Sequence, residues 1–164
     1  MASTNRDRAP RLRLTPLRGD EDADRFAAML AQGFEGGDDA PRGILEQTRS
    51  FLAAHPRPDP WGSYLAWDGD TAVGACAFKF PPDPSGAVEI AYTTFPAYEG
   101  RGYAKGMISV LFALAVRSGA ALVFAHTLAQ DNASNGALRR EGFGFAGAVV
   151  DPEDGPVWRW EKRP

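Results

Sequence analysis

The sequence has one cysteine, Cys76, and only two histidines among its 164 residues. A single cysteine forms no disulfide within the chain and excludes a zinc site built from several thiolates. No stretch approaches the roughly 20 apolar residues of a membrane-spanning helix. Residues 1–10 contain Arg6 and Arg8 but no apolar signal-peptide core. We therefore expect a cytoplasmic protein with a buried thiol, no metal and a flexible tail over residues 1–10.

Strong net charge is also missing. Eighteen lysines and arginines against 21 aspartates and glutamates leave a net charge of −3, which gives no general attraction to nucleic acid or anionic lipid. Apolar residues make up 44% of the chain, enough for the core of one domain at this length. We predict a single domain over residues 11–164 that binds neither nucleic acid nor membrane.

Apolar periodicity predicts seven strands and four helices. The predicted strands are 11–17, 63–67, 71–80, 87–95, 121–127, 145–150 and 157–161; the predicted helices are 21–34, 39–52, one from the glycines near 102 to Gly119, and 133–141. Strands and helices do not alternate throughout, which favours an α+β fold over a doubly wound parallel sheet. We expect a central mixed, largely antiparallel sheet with helices on both faces, in the order β-αα-βββ-α-β-α-ββ.

A glycine turn separates the fourth predicted strand from the next helix. It reads Gly100-Arg101-Gly102-Tyr103-Ala104, and its amides, through Lys105, would lie at a helix N-terminus, which favours an anion such as pyrophosphate. Any tight turn also needs glycine, so the turn alone leaves both readings open. The spacing matches neither a nucleoside triphosphate loop nor a dinucleotide loop. Coenzyme A remains as a common diphosphate ligand.

Two ordered motifs resemble one known family. The run from Glu99 to Ala104, after a strand that ends near Pro96, resembles the Gln/Arg-x-x-Gly-x-Gly/Ala hallmark of the GNAT acetyltransferases. The run from His126 to Ser134, continuing to Phe143, is similar to the ribosomal-protein N-acetyltransferase (RimJ/RimL-like) branch of that family. The resemblance extends over about residues 11–162, so it covers nearly the whole chain.

The sequence departs from the family pattern at two positions. Glu99 stands where the family usually has glutamine or arginine, which removes a neutral or cationic side chain near the expected pyrophosphate. Leu138 stands where many relatives carry a tyrosine that protonates the thiolate. The resemblance therefore implies the coenzyme A site more directly than it implies the catalytic groups.

The resemblance implies an acetyl-CoA-dependent N-acetyltransferase that acts on a primary amine, either a protein N-terminus or a small molecule, by direct transfer in a ternary complex. It implies that the fourth strand offers its backbone to the pantetheine arm like an added strand. The implied cofactor-binding residues are Tyr92, Thr93, Thr94, Gly100, Arg101, Gly102, Tyr103, Ala104, Lys105, Asn132 and Ser134. A local reading also stands, in which Asn132 caps the next helix and Ser134 bonds within its first turn.

Acetyl transfer to an amine needs a base for the ammonium proton and a proton for the thiol leaving group. The candidate bases are Glu89 and His126; Ser134 or water is the candidate acid. His126 titrates in the neutral range by residue type, and Glu89 lies among apolar residues where a carboxylate needs a partner. The alternatives without a catalytic role are a structural histidine and a solvated glutamate.

Two other classes of function fit the same fold. One is a non-catalytic acyl-CoA-binding or sensing domain, and the other is a protein-interaction domain that has kept only the fold. Exposed strand edges are compatible with a homodimer. We expect the acceptor side to include the loop around residues 36–41, the segment 56–61 and the turn 151–155, whose acidic residues would attract an amine.

Overall fold

The computed structural model describes residues 9–18 and 57–164. Over these residues, seven strands form one sheet in the order β1-β2-β3-β4-β5-β7-β6. The elements are β1 Arg13–Leu17, β2 Ser63–Asp68, β3 Thr71–Phe78, β4 Ala87–Thr94, α1 Tyr103–Arg117, β5 Leu122–Leu128, α2 Ala133–Arg140, β6 Gly144–Asp151 and β7 Gly155–Lys162. The predicted helices at 21–34 and 39–52, and most of the predicted tail, lie outside the described residues.

The mixed sheet of the predicted α+β fold is confirmed. Strands β4 and β5 pair in parallel, and the other neighbouring strands pair antiparallel. The parallel pair flanks α1, so the predicted βαβ unit is present. The prediction for β3 was two residues too long: the strand ends at Phe78, and Phe80 beyond it is 53% exposed before the Pro81-Pro82 pair, which cannot donate to a strand ladder.

Helix α1 packs on one face of the sheet against β3 and β4. Met107, Ile108 and Leu111 of the helix are fully buried and form one core cluster with strand residues such as Ile90 and Val123. Because successive side chains of a strand point to opposite faces, Glu89 and His126 lie on the face away from α1. The core and the two candidate bases are thus separated by the sheet.

The four tryptophans contribute to the packing of the sheet. Trp160 and Trp67 are buried, and Trp61 and Trp158 are partly buried against the main core cluster. No helix in the described ranges is long and apolar enough to cross a membrane.

The Cys76 thiol is buried in β3, as the sequence predicted, and burial raises its pKa to about 12. A thiol in an unfolded chain ionises near pH 8.5 to 9, so the folded state retains the proton that the unfolded state loses. The stability from this group is therefore complete below about pH 8.5 and is lost as the pH rises toward 12. At pH 10 we expect a loss of about 1.4 kcal/mol relative to pH 7.5.

Denaturant unfolding at the two pH values would measure this loss, and Cys76→Ala would abolish that component of the pH dependence. The native thiol should also resist a maleimide or disulfide reagent at pH 8. Rapid labelling of the folded protein, or an unchanged pH dependence in Cys76→Ala, would contradict the assignment.

Candidate active site

Strands β4 and β5 separate partway along their length. Their parallel pairing covers only three positions and ends at Glu89 opposite Phe124. Beyond that point β4 continues to pair with β3 as far as Thr94, and β5 continues with β7 as far as Leu128. Within the described part of the chain, residues 90–94 of β4 therefore have a strand partner on one side only. This opening in the sheet exposes backbone groups that an extended ligand can pair with.

A large cleft of about 1170 Å³ lies beside this opening. Its lining brings together Tyr92–Thr94 of β4, the turn from Gly100 to Lys105, and Ser134 of α2. These are all of the predicted cofactor-binding residues except Asn132. Segments that are 40 residues apart in sequence thus form one surface, as the two motifs predicted.

The glycine turn has the backbone geometry that the prediction required. Gly100 and Gly102 have φ of 74° and 83°, a left-handed conformation that side chains other than glycine rarely adopt. Gly102 is the N-cap of α1 and no side chain caps the helix. The first amides of the helix lack carbonyl partners within it. They are available to an anion in the cleft.

The charged lining of this cleft compensates for Glu99. Arg101, Lys105 and Arg140 line it together with that single carboxylate, so cations outnumber the acid by three to one. Arg140 comes from the end of α2. The sequence motif around the turn gave no sign of it, because the contribution comes from a different helix.

A smaller cavity of about 490 Å³ adjoins the cleft and contains both candidate bases, Glu89 and His126. Asn132 lines this cavity rather than the larger one. Tyr92, Ala133 and Ser134 line both. The two cavities therefore meet at these three residues, of which Tyr92 and Ser134 have polar side chains.

Tyr92 and Ser134 both lie at this junction. Burial raises the pKa of the Tyr92 phenol, and the Ser134 hydroxyl offsets only part of that increase. The phenol therefore remains protonated at neutral pH. Leu138, at the position where many relatives carry a tyrosine, is fully buried in the core. The phenol that lines the two cavities comes from Tyr92 of β4.

Asn132 caps α2, as the local reading predicted. Its side-chain oxygen accepts a hydrogen bond of 3.1 Å from the amide of Asn135. The buried Asn135 side chain accepts a 2.7 Å bond from the Thr127 hydroxyl and donates a 2.9 Å bond to the Gln130 carbonyl. Trp160 donates to the same Thr127 oxygen at 3.0 Å. This chain of bonds fixes the start of α2, and with it Ser134, to the end of β5.

Four charged or titratable side chains cluster on the face of the sheet away from α1. The Glu89 carboxylate lies 3.2 Å from the Lys79 ammonium, through Oε1, and the same oxygen lies 3.2 Å from Nδ1 of His126. That nitrogen also lies 3.5 Å from Oδ2 of Asp151. Glu89 is therefore a partnered carboxylate and not a solvated one.

The opposite charges in this cluster favour each other's ionised forms. Burial acts to lower the pKa of Lys79, but the carboxylates of Glu89, Asp151 and Asp154 outweigh it and leave that pKa above its usual value. The amides of Asp154 and Glu153 hold the pKa of Asp151 below its usual value, and Lys79 and His126 add to that effect. At neutral pH, Lys79 is thus a cation and Asp151 an anion.

Sequence reasoning missed Lys79, Asn135 and the Tyr92 hydroxyl. Lys79 follows the end of β3, and its amide donates to the carbonyl of Glu89 at 2.9 Å, a strand register that hydrophobic patterning alone does not give. The sequence carried one signal for Asn135. It lies one position after Ser134, on the side of a short helix that faces the core, where a polar side chain needs a hydrogen-bond partner. Asp151 was expected only as part of an acidic turn.

Gly74 of β3 determines how closely β4 approaches at this site. A β-carbon at Gly74 would lie 2.4 Å from the Thr93 carbonyl oxygen and 3.0 Å from Cε of Met107. Gly74→Ala must therefore displace a residue that lines the large cleft. We expect the free energy of unfolding to fall by about 2 to 3 kcal/mol, with weaker binding of acetyl-CoA, measured by denaturant unfolding and by calorimetry.

Gly62→Ala is the matched control, because a β-carbon there has no neighbour within 4 Å among residues 9–18 and 57–164. Its stability and acetyl-CoA binding should stay close to those of the unaltered protein. Equal stability of the two variants would show that β4 accommodates the extra methyl group.

Comparison with known proteins agrees with this geometry. The acetyltransferase (GNAT) domain family matches residues 11–144. No curated protein sequence matches the chain.

Solved structures share the fold at low sequence identity. A RimL ribosomal L7/L12 α-N-protein acetyltransferase, solved in complex with coenzyme A, is 16% identical, with 94% of this chain and 95% of that chain covered and a TM-score of 0.74. The microcin C7 self-immunity acetyltransferase MccE, solved with acetyl-CoA and AMP, is 15% identical, with coverages of 94% and 93% and a TM-score of 0.72. An acetyltransferase of Salmonella typhimurium that modifies the N-terminal serine of L7/L12 is 14% identical, with coverages of 95% and 96% and a TM-score of 0.71.

The family match covers most of the chain, including the glycine turn and the start of α2. The chain therefore belongs to the GNAT acetyltransferase family and is an acetyl-CoA-dependent N-acetyltransferase.

Proposed function

We propose that the protein acetylates a primary amine that enters the smaller cavity while acetyl-CoA occupies the large cleft. The observation that carries this proposal is the junction of the two cavities at Tyr92 and Ser134, next to Glu89 and His126. Both substrates can then meet without a covalent intermediate on the enzyme. Cys76 is buried in the core cluster and lines neither cavity, so this thiol is not placed to carry the acetyl group.

In this proposal the glycine turn holds the pyrophosphate of acetyl-CoA through the first amides of α1. The unpaired side of residues 90–94 pairs with the pantetheine arm, and Arg101, Lys105 and Arg140 supply positive charge. Asn132 and Ser134 flank the arm near its reactive end. Bound there, acetyl-CoA supplies the thioester acyl group at the junction of the two cavities.

His126 acts as the general base and Glu89 supports it. Glu89 is already paired with Lys79 at 3.2 Å, whereas both ring nitrogens of His126 are buried and make no hydrogen bond within the described residues. An imidazole also suits proton transfer near neutral pH better than a paired carboxylate. Because both ring nitrogens are buried, His126 removes the proton of the acceptor's ammonium group through water.

Ser134 acts as the general acid for the thiol leaving group. Its hydroxyl lies where the cavities meet, as does the protonated phenol of Tyr92. Breaking the carbon–sulfur bond places the electron pair on sulfur, and a proton from Ser134 neutralises it. In the same step the Tyr92 phenol passes its proton to the serine oxygen and then regains one from solvent, so that neither hydroxyl is left ionised.

The acceptor is a protein N-terminus or a small-molecule amine, in keeping with the RimJ/RimL-like motif. Glu89 and Asp154 line the smaller cavity with Lys79 as the opposing charge, which suits an ammonium group close to other polar atoms. We further propose a cytoplasmic setting, because a single buried thiol suits a reducing compartment, and a function that involves neither nucleic acid nor membrane.

A homodimer would form along β6, which lies at one edge of the sheet. Phe145 and Val150 of this strand are 56% and 79% exposed, and an unpaired edge strand readily pairs with another chain. Sedimentation of the full chain over a range of concentrations would reveal such a dimer.

Two measurements on the purified protein test the proposed activity. Calorimetry should show binding of acetyl-CoA, and initial rates with a panel of peptides and small amines should give intersecting double-reciprocal lines, which indicate a ternary complex. Binding without transfer to any amine would favour an acyl-CoA sensor. No binding at all would leave a protein-interaction domain as the remaining reading.

A further inference from the structure

The Asp151 carboxylate has two separate sets of neighbours, one for each oxygen. Its Oδ1 accepts the amides of Glu153 and Asp154 at 2.9 and 3.0 Å and so builds the turn between β6 and β7. Its Oδ2 lies 3.5 Å from Nδ1 of His126. One carboxylate therefore fixes the hairpin and faces the proposed base.

The surroundings of His126 are asymmetric. The two carboxylates, Glu89 and Asp151, both approach the ring at Nδ1, and neither contact is aligned as a hydrogen bond. The Phe124 ring lies 5.5 Å from the imidazole on the preceding position of the same face. Among the described residues, no carboxylate forms an ion pair with Nε2, the other ring nitrogen.

Other charged groups near His126 already have partners or stand farther away. Lys79 is paired with Glu89. Arg159 lies opposite His126 on β7, where it stacks on Phe124 and pairs with Glu161 at 2.7 Å. Asp154 lines the cavity from the hairpin turn. The groups placed to orient the ring are therefore Glu89 and Asp151.

We propose that Asp151 is a positioning residue for the proposed base. This inference rests on the proposed function, in which His126 takes the acceptor's proton. Two carboxylates beside Nδ1 favour the tautomer that carries hydrogen on Nδ1, and this tautomer leaves the lone pair on Nε2. The acceptor's ammonium proton then transfers to Nε2, the Nδ1 hydrogen stays in place, and the carboxylates balance the charge of the imidazolium. The proton passes from Nε2 to solvent after transfer.

Asp151→Asn separates the two tasks of this residue. The asparagine keeps a carbonyl oxygen for the amides of Glu153 and Asp154, and asparagine is well suited to such a turn. It replaces the oxygen that faces His126 with an amide donor. The variant should therefore fold normally but favour hydrogen on Nε2, the tautomer that cannot act as the base.

Nitrogen-15 NMR of the ring measures the tautomer without any need for turnover. The chain has two histidines, so His126→Ala identifies the signals of His126. We expect mainly the Nδ1–H form in the unaltered protein and a clear rise of the Nε2–H form in Asp151→Asn. We also expect kcat to fall about tenfold with the KM for acetyl-CoA unchanged, and the acidic limb of the kcat–pH profile to move to lower pH.

Asp70→Asn is the matched control, because it removes a carboxylate from another hairpin turn of the sheet, between β2 and β3, and Asp70 lines neither cavity. It should leave the tautomer and kcat unchanged. An active enzyme whose His126 tautomer is the same in Asp151→Asn would overturn this inference while leaving the proposed function intact. A protein that transfers no acetyl group, whatever its tautomer, would instead overturn the proposed function.

Discussion

Replacing His126 by alanine should lower kcat for amine acetylation about 100-fold at neutral pH, since this is the low end of the contribution made by a general base. The expected deficit depends on pH. An α-amino group loses its own proton near pH 8, so above that pH the acceptor needs the base less and the variant should recover part of its rate. Binding of acetyl-CoA should be unchanged, because His126 does not line the large cleft. Rates with one acceptor across pH 6 to 10 would show this pattern.

Glu89→Gln tests which of the two candidates takes the proton. If Glu89 only supports His126, its removal should lower kcat about tenfold, less than the loss of His126 itself. A larger effect for Glu89→Gln than for His126→Ala would assign the base to Glu89. Glu161→Gln serves as the control. It removes a carboxylate from β7, the strand next to β5, and Glu161 lines neither cavity. Unaltered rates and pH profiles in both test variants would exclude both residues.

Gly102→Val should weaken acetyl-CoA binding by about 30-fold or more. A β-branched residue at the Gly102 φ of 83° costs on the order of 1 to 3 kcal/mol, and the turn can relieve that strain only by changing its backbone angles. The amides at the start of α1 would then no longer converge on the pyrophosphate. Calorimetry with acetyl-CoA would measure the loss directly, and circular dichroism would show that the sheet and helices remain.

Gly136→Ala is the matched control for this substitution. Gly136 lies inside α2 with no positive φ, and a β-carbon there has no neighbour within 4 Å. Alanine should therefore stabilise the helix by about 0.5 to 1 kcal/mol and leave acetyl-CoA binding unchanged. If Gly102→Val binds acetyl-CoA as tightly as Gly136→Ala does, the turn does not hold the pyrophosphate as proposed.

The order of the elements could be predicted because it depends on local patterns. The Asp68-Gly69 pair marked the hairpin between β2 and β3, and Gly119 marked the end of α1, where its φ is 90°. The glycine turn was also predictable, since it lies within one continuous βαβ unit. Arg140 was not, because α2 reaches the cleft only through packing on α1.

The candidate bases show the limit of this reasoning more clearly. Glu89 and His126 were found by residue type, and the sequence left a solvated glutamate and a structural histidine as alternatives. The structure shows that Glu89 is partnered, because β4 separates from β5 after three paired positions and Lys79 and Asp151 arrive from the end of β3 and from β6. The catalytic role of the two residues stays a prediction. Cross-strand register is a long-range property, and a slip of one residue would turn these side chains to the other face.

The sequence by itself therefore determined the α+β fold and the position of the glycine turn, because periodicity, turn residues and helix ends act over a few neighbouring positions. Its two motifs also carried the resemblance to the family. Only the tertiary structure decided that Tyr92 and Ser134 join two cavities and that one nitrogen of His126 faces two carboxylates. Those contacts connect residues from β4, β5, β6 and α2. They exist because β4 and β5 separate and the turn of the β6–β7 hairpin lies beside the opening.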